Sequence, residues 1–177
     1  MMVKTIFSGF GGQGVLMMGY TLAHGAMSAG YHVTFLPAYG AEVRGGTANC
    51  TIAVSDDEIA SPIASEPDHV VVLNTPSLYT FQNRVAPGGG LFLNSSIIAV
   101  EPSRRDVRIF KIPSSEIAAK LGNARTANTV MMGAFLKTTG LVPPDTYLNS
   151  LGEVMGSKKK SIIEVNRKAF SAGYDYL

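Results

Sequence analysis

The apolar run VKTIF, the loop SGFGGQG (Ser8 to Gly14) and the stretch VLMMGYTLAHGA follow one another at the start of the chain. Residues 3–8 are β-prone, and Val15, Leu16, Met18, Leu22, Ala23 and Ala26 then recur at helical spacing, so the sequence predicts strand, glycine turn, helix. Gly30 closes the helix and YHVTFL (31–36) is a second strand, stopped by Pro37. The opening segment therefore reads as one βαβ unit with a parallel strand pair.

The rest of the chain continues the alternation. TANCTIAVS (47–55) sets Ala48, Cys50, Ile52 and Val54 against Thr47, Asn49 and Thr51, the period of a half-exposed strand that pairs antiparallel or lies at an edge. HVVVLN (69–74) is a strand, and PSLYTFQNRVA is a helix with Pro76 at its first position. LFLNSS (91–96) and VRIFKIP (107–113) are strands, and SSEIAAKLG is a short capped helix. The last third is helical: NARTANTVMMGAFLKTTG ending at Gly140, PPDTYLNSLGEVMG, and SKKKSIIEVNRKAFSAG. The expected fold is α/β and Rossmann-like: a doubly wound, mostly parallel sheet flanked by helices, with one antiparallel or edge strand, as a single domain over 1–177. Ligands of such folds sit beyond the carboxyl ends of the strands.

Composition narrows the function. With 46% hydrophobic residues, 177 residues bury a full core without staples. A net charge of +2 and 16% charged residues leave no electrostatic footprint for nucleic acid or a membrane surface. Cys50 is the only cysteine and the three histidines are scattered, so the sequence offers no disulfide, no cysteine-ligated cluster and no zinc spacing. Neither a signal peptide nor an apolar run of membrane length is visible, and the expected location is the cytoplasm.

Two loops carry the chemistry. Gly9, Gly11 and Gly14 have the dinucleotide-loop spacing, and Gly11, Gly12, Gln13 and Gly14 lead into a helix N-terminus whose free N–H groups suit an anion. The ribose-binding carboxylate of that fingerprint is missing: Leu36, Pro37, Ala38 and Tyr39 stand where it belongs. A triphosphate loop is excluded because Val15 and Leu16 follow Gly14. A sharp packing turn and an anion cradle both remain open. The second loop, PAYGAEVRGGTAN, holds Tyr39, Gly40, Glu42, Arg44, Gly45, Gly46 and Asn49 and is expected beside the first. Arg44 offers a planar fork to carboxylate or phosphate, and the plainer reading of Glu42 with Arg44 is a surface ion pair. Arg125 and Asn128, one turn apart at a helix start, either cap that helix or face a ligand or partner. His24 and His69 read as packed or solvated, Lys158–Lys160 as a solvated face, and Met17, Met18, Met131 and Met132 as core. No nucleophile has a readable base partner, so no catalytic residue is assigned.

The segments GFGGQGV, PAYGAEVRGGTANC and GNARTANTVMMGAFLKTTG, in this order and spacing, resemble the gamma subunit of the 2-oxoacid:ferredoxin oxidoreductases, and the resemblance covers nearly the whole chain. It implies a subunit of a complex that oxidatively decarboxylates a 2-oxoacid to its acyl-CoA and passes electrons to ferredoxin, 2-oxoglutarate or a branched-chain acid being favoured over pyruvate. In that family thiamine diphosphate with its magnesium belongs to the alpha and beta subunits, and iron–sulfur clusters to beta or delta. This chain then holds no tight cofactor. Gly9, Gly11, Gly12, Gln13 and Gly14 contact coenzyme A or a partner subunit, and Tyr39–Gly46, Asn49, Arg125 and Asn128 are interface or positioning residues. The rival readings are a free-standing nucleotide- or acyl-CoA-binding protein and a pure assembly scaffold.

Overall fold

A computed structural model describes residues 1–40, 46–156 and 160–177. Glu42, Arg44 and Gly45 of the second loop lie outside the described residues, as do Lys158 and Lys159. The strands are β1 (Met2–Phe10), β2 (His32–Tyr39), β3 (Thr47–Ser55), β4 (His69–Val72), β5 (Gly90–Asn94) and β6 (Arg108–Ile112). The helices are α1 (Val15–Ser28), α2 (Thr75–Phe81), α3 (Ser114–Lys120), α4 (Ala127–Thr139), α5 (Pro144–Met155) and α6 (Lys160–Tyr174). The strands form one sheet in the order β2-β3-β1-β4-β5-β6, in which only β3 runs against the rest.

Three local expectations are corrected. β1 and β2 run in the same direction but do not pair, because β3 lies between them and is antiparallel to both. Pro37 does not stop β2, which continues to Tyr39 with Pro37 in register with Cys50. β2 pairs with β3 alone, so it is an edge strand, where a missing N–H is tolerated. β3 is antiparallel as expected but not half-exposed: its Cys50, Ile52 and Val54 join the helix-side core, and Thr51 and Ala53 are buried on the opposite face. A strand inside the sheet is covered on both sides.

The two faces are unequal. On one, Phe7, Val71 and Phe92 pack with Cys50 and Ile52 against α1, α3, α4, α5 and α6, with Phe135 set edge-on to Phe7 at 5.6 Å. On the other, Ile6, Val70, Val72, Leu91 and Leu93 meet Leu78 and Phe81 of α2 and Ala64 of the 56–68 connection. Close approach depends on glycine at two places. A Cβ on Gly19 would strike the Cys50 thiol, and one on Gly173 would strike the Val130 carbonyl of α4, with Gly133 meeting Phe170 and Tyr174 backbone in return. α1 thus lies directly on β3, and α4 and α6 cross backbone to backbone.

The short helix α3 carries no side-chain cap of its own, contrary to expectation. Its first position follows Pro113, the Ser114 hydroxyl is unpartnered, and Ser96 from the end of β5 accepts the Glu116 N–H at 3.1 Å. Gly140 caps α4 as expected, at φ 61°, while α1 is capped by Ala29 and Gly30 follows it at φ 91°.

Candidate functional site

The glycine loop leaves the carboxyl end of β1 and turns into α1 through two left-handed residues, Gly12 at φ 97° and Gly14 at φ 77°. Gly14 is the α1 N-cap, so no side chain caps the helix, and its first turn contains no acidic residue. The first-turn amides have no intrahelical acceptor, and the positive end of the helix dipole is uncompensated there. A Cβ at Gly12 would meet nothing within 4 Å, so the loop tip stands open.

Gln13 holds this loop in place. Its carbonyl oxygen accepts the Phe10 N–H at 2.7 Å and the Asn74 side-chain amide at 3.3 Å, and its own amide donates to the Leu73 carbonyl at 3.3 Å. Both ends of the side chain are thereby engaged within the protein, joining β1 to the segment after β4. Gly9 makes room for it, since a Cβ there would lie 2.6 Å from the Gln13 carbonyl oxygen. On the other flank the Asn128 side chain lies against Gly14, and its Nδ2 faces the Gly14 carbonyl at 3.5 Å. Asn128 also accepts the Thr129 N–H at 2.9 Å. Asn123, which sequence reasoning passed over, caps the preceding turn by accepting the Arg125 N–H at 3.1 Å.

The two loops meet as expected. The Gly11 N–H donates to the Gly46 carbonyl at 2.9 Å, and between them opens a cleft of about 400 Å³. Gly11, Gly12, Gly14, Leu16, Met17 and Tyr39 supply much of its wall. Tyr39 is 65% exposed, a large aromatic surface free for contact. The cleft continues outward over Leu16, Met17, Tyr20, Phe35 and Pro37, an apolar apron between α1 and the sheet edge. A second hollow of about 260 Å³ borders Gly12 and Gln13 over the carboxyl ends of β4 and β5, with Arg125 and Asn128 on its rim. Asn49 is separate from the cleft: it sits within β3 opposite Ser8, on the face away from Cys50. Gly40 is exposed next to Tyr39. Sequence reasoning missed Leu16 and Met17 as cleft lining, because apolar helical spacing marks them as core and not as wall, and Thr47, because strand alternation marks it only as an exposed polar position.

No carboxylate is among the described residues of the cleft wall, and the end of β2 lies two strands from β1. Among the described residues none supplies the ribose contact of a dinucleotide loop. What remains suits an extended ligand with an anionic group: backbone N–H donors at the loop, and an apolar wall leading away from it. Elsewhere, His69 is packed edge-on to Phe92 and Phe135, at 6.1 and 5.8 Å, and burial lowers its pKa. Burial pushes the Cys50 thiol up to about 12. Both are structural, as is His24, which lies 3.5 Å from Glu153 on the helix surface.

Comparison with known proteins gives consistent matches. The chain is 42% identical, over 98% of its length, to ketoisovalerate oxidoreductase subunit VorA of Methanothermobacter thermautotrophicus, of which it spans only 36%. It is 30% identical to 2-oxoglutarate synthase subunit KorC of Methanothermobacter marburgensis, over 96% of this chain and 94% of that one. Its fold matches 99% of the chain to 31% of a 2-oxoglutarate:ferredoxin oxidoreductase from Magnetococcus marinus, solved with 2-oxoglutarate, coenzyme A and succinyl-CoA bound, with a TM-score of 0.90 at 22% identity. The family model for pyruvate ferredoxin/flavodoxin oxidoreductase matches residues 4–176, and the chain belongs to that family.

Proposed function

We propose that the chain is the gamma-type subunit of a 2-oxoacid:ferredoxin oxidoreductase, working with alpha and beta partners, and with delta where one exists. The complex converts a 2-oxoacid and coenzyme A to acyl-CoA, carbon dioxide and reduced ferredoxin. A branched-chain acid or 2-oxoglutarate is favoured over pyruvate, and identity supports the branched-chain acid: it is 42% to the ketoisovalerate subunit VorA, against 30% to KorC of Methanothermobacter marburgensis and 28% to pyruvate synthase subunit PorC of Thermotoga maritima. The chain matches 94% of KorC and 36% of VorA. Thiamine diphosphate, magnesium and iron–sulfur clusters belong to those partners, and the carbanion and electron chemistry is theirs.

The observation that carries this chain's own role is the uncapped α1 N-terminus opening on the cleft beside Tyr39. Its amides hold a coenzyme A phosphate, and Leu16, Met17 and Tyr39 guide the pantetheine arm toward the shared site. Gly12 lets the ligand approach the backbone, while Gln13 positions the loop. Amide hydrogen exchange on the complete complex tests this. Coenzyme A is expected to slow exchange in the peptide spanning 11–18, and protection absent there would leave the loop a partner contact only.

A further inference from the structure

The hollow of about 260 Å³ sits where the winding of the sheet reverses. β1 and β4 are parallel neighbours, yet the helix after β1 packs on one face of the sheet and the helix after β4 on the other. Their carboxyl ends part there, at the position where open α/β sheets take ligands. Gln13, Leu73, Asn94, Ser115, Arg125 and Asn128 form most of the wall. The hollow opens toward β4 and the cleft toward β3, and the two share Gly12 alone.

The polar side chains of this wall have their oxygens engaged inside the protein. Gln13 Oε1 accepts from the Phe10 N–H and the Asn74 amide, Asn94 Oδ1 accepts the Ser96 N–H at 3.3 Å, and Asn128 Oδ1 accepts the Thr129 N–H at 2.9 Å. Their amide nitrogens each carry a pair of hydrogens. One hydrogen apiece is used, by the Leu73 carbonyl, the Ser115 hydroxyl oxygen and, at 3.5 Å, the Gly14 carbonyl. Half-buried Ser115 accepts from Asn94 at 2.8 Å and donates to nothing among the described residues. Arg125 is exposed and forms no ion pair among the described residues. No carboxylate is among the described lining residues, and Glu116, next to Ser115, is exposed and not part of the wall. The wall is thus rich in unspent donors, and each of its side-chain oxygens already holds a protein donor.

We propose that this hollow binds a phosphate-class oxyanion, either free or as the head group of a small monoester. Such an ion offers acceptor oxygens in several directions and needs none in return, which matches a wall of donors from different elements. Arg125, Ser115 and the amides of Gln13 and Asn128 hold it, and Leu73, Ala124 and Ala127 leave an apolar corner for a short carbon body. The inference does not rest on the coenzyme A reading, because the hollow is filled without any ligand in the cleft.

The test is nitrogen–proton NMR of the full chain, titrated at constant ionic strength with inorganic phosphate, propyl phosphate, propanoate and 1-propanol. The side-chain amides of Gln13, Asn94 and Asn128 should shift saturably with phosphate, with Kd below about 1 mM, while the backbone amide of Tyr39 in the cleft stays still. Propanoate should bind at least about tenfold more weakly, and propanol not at all. Propyl phosphate binding tighter than phosphate identifies a monoester as the source, and any other order identifies the free anion. R125Q should weaken phosphate about tenfold and S115A about fivefold. K120Q, which removes an exposed cation at the far end of α3, should change it less than about twofold. Shifts that do not saturate, shifts centred on Tyr39, propanoate binding as tightly as phosphate, or wild-type affinity in both R125Q and S115A would each overturn the proposal.

Discussion

The Gln13 side chain accepts the Phe10 N–H at 2.7 Å and donates to the Leu73 carbonyl at 3.3 Å, so one residue ties the end of β1 to the end of the strand beside it. Q13A strips a partner from the Phe10 N–H, the Asn74 amide and the Leu73 carbonyl together. The expected loss is about 1–3 kcal/mol in urea unfolding of the chain. Wild-type stability for Q13A would mean the loop holds its shape without this residue.

Gly14 is constrained twice, by φ 77° and by the Asn128 side chain lying against it. G14A should cost about 1–2 kcal/mol from the left-handed conformation alone, with crowding by Asn128 added. A double-mutant cycle separates the two. Combining G14A with N128A should recover the crowding and leave the conformational cost, and simple additivity would show that the side chain yields freely.

The α4–α6 crossing makes a sharper demand. A Cβ on Gly173 falls on the Val130 carbonyl, and one on Gly133 on the Phe170 backbone, neither of which can swing aside as a side chain does. G133A and G173A should each destabilise by about 3 kcal/mol or more. G152A serves as the control, since nothing lies within 4 Å of a Cβ there. Equal melting temperatures for all three would contradict the packing described.

Stability should decline at both ends of the pH range. Burial holds the His69 pKa below its ordinary 6.5, so on acidification the unfolded chain takes up a proton that the folded one refuses. Stability is therefore present above 6.5 and lost as pH falls below it. Cys50 is raised from 9.0 to about 12, so the unfolded thiol ionises first and stability falls as pH climbs between those values. Denaturant titrations across pH should show that H69F flattens the acid limb and C50A the alkaline one. The same burial predicts that Cys50 reacts with thiol reagents only on unfolding.

In the complex, a charge placed in the first turn of α1 reports on the anion site. L16E and L16Q lose the same apolar contact, and only the former brings a negative charge to the cleft. L16E should raise KM for coenzyme A about tenfold over L16Q with kcat little changed. Equal KM values would remove the phosphate from the α1 N-terminus.

The legible parts of this fold were local ones. The strand, glycine loop and helix over 3–28, the helix after Pro76 and the helix ended by Gly140 are each set by residues within a few positions of one another. The sheet order was not legible, because β3 enters between β1 and β2 through pairing that no local period reveals. Pro37 misled for the same reason: its cost depends on whether its strand is at an edge. At the site, the two loops were expected together through a β1–β2 pair that does not form; Gly11 meets Gly46 because β3 pairs directly with β1, Phe10 opposite Thr47. The anchoring by Gln13 was not legible either, since its partners Leu73 and Asn74 lie sixty residues away. Nor could sequence show that Gln13, Ser115 and Arg125 line one hollow, which is a matter of tertiary packing.

The central claim, that this chain is a subunit of a 2-oxoacid oxidoreductase, is tested most directly by isolating it with its partners. The tagged chain is recovered from its native cells and assayed for coenzyme A-dependent dye reduction with pyruvate, 2-oxoglutarate and 2-oxoisovalerate. The account predicts co-purification of two larger subunits and activity highest with 2-oxoisovalerate or 2-oxoglutarate. A chain recovered alone, with no 2-oxoacid-dependent reduction, would contradict it.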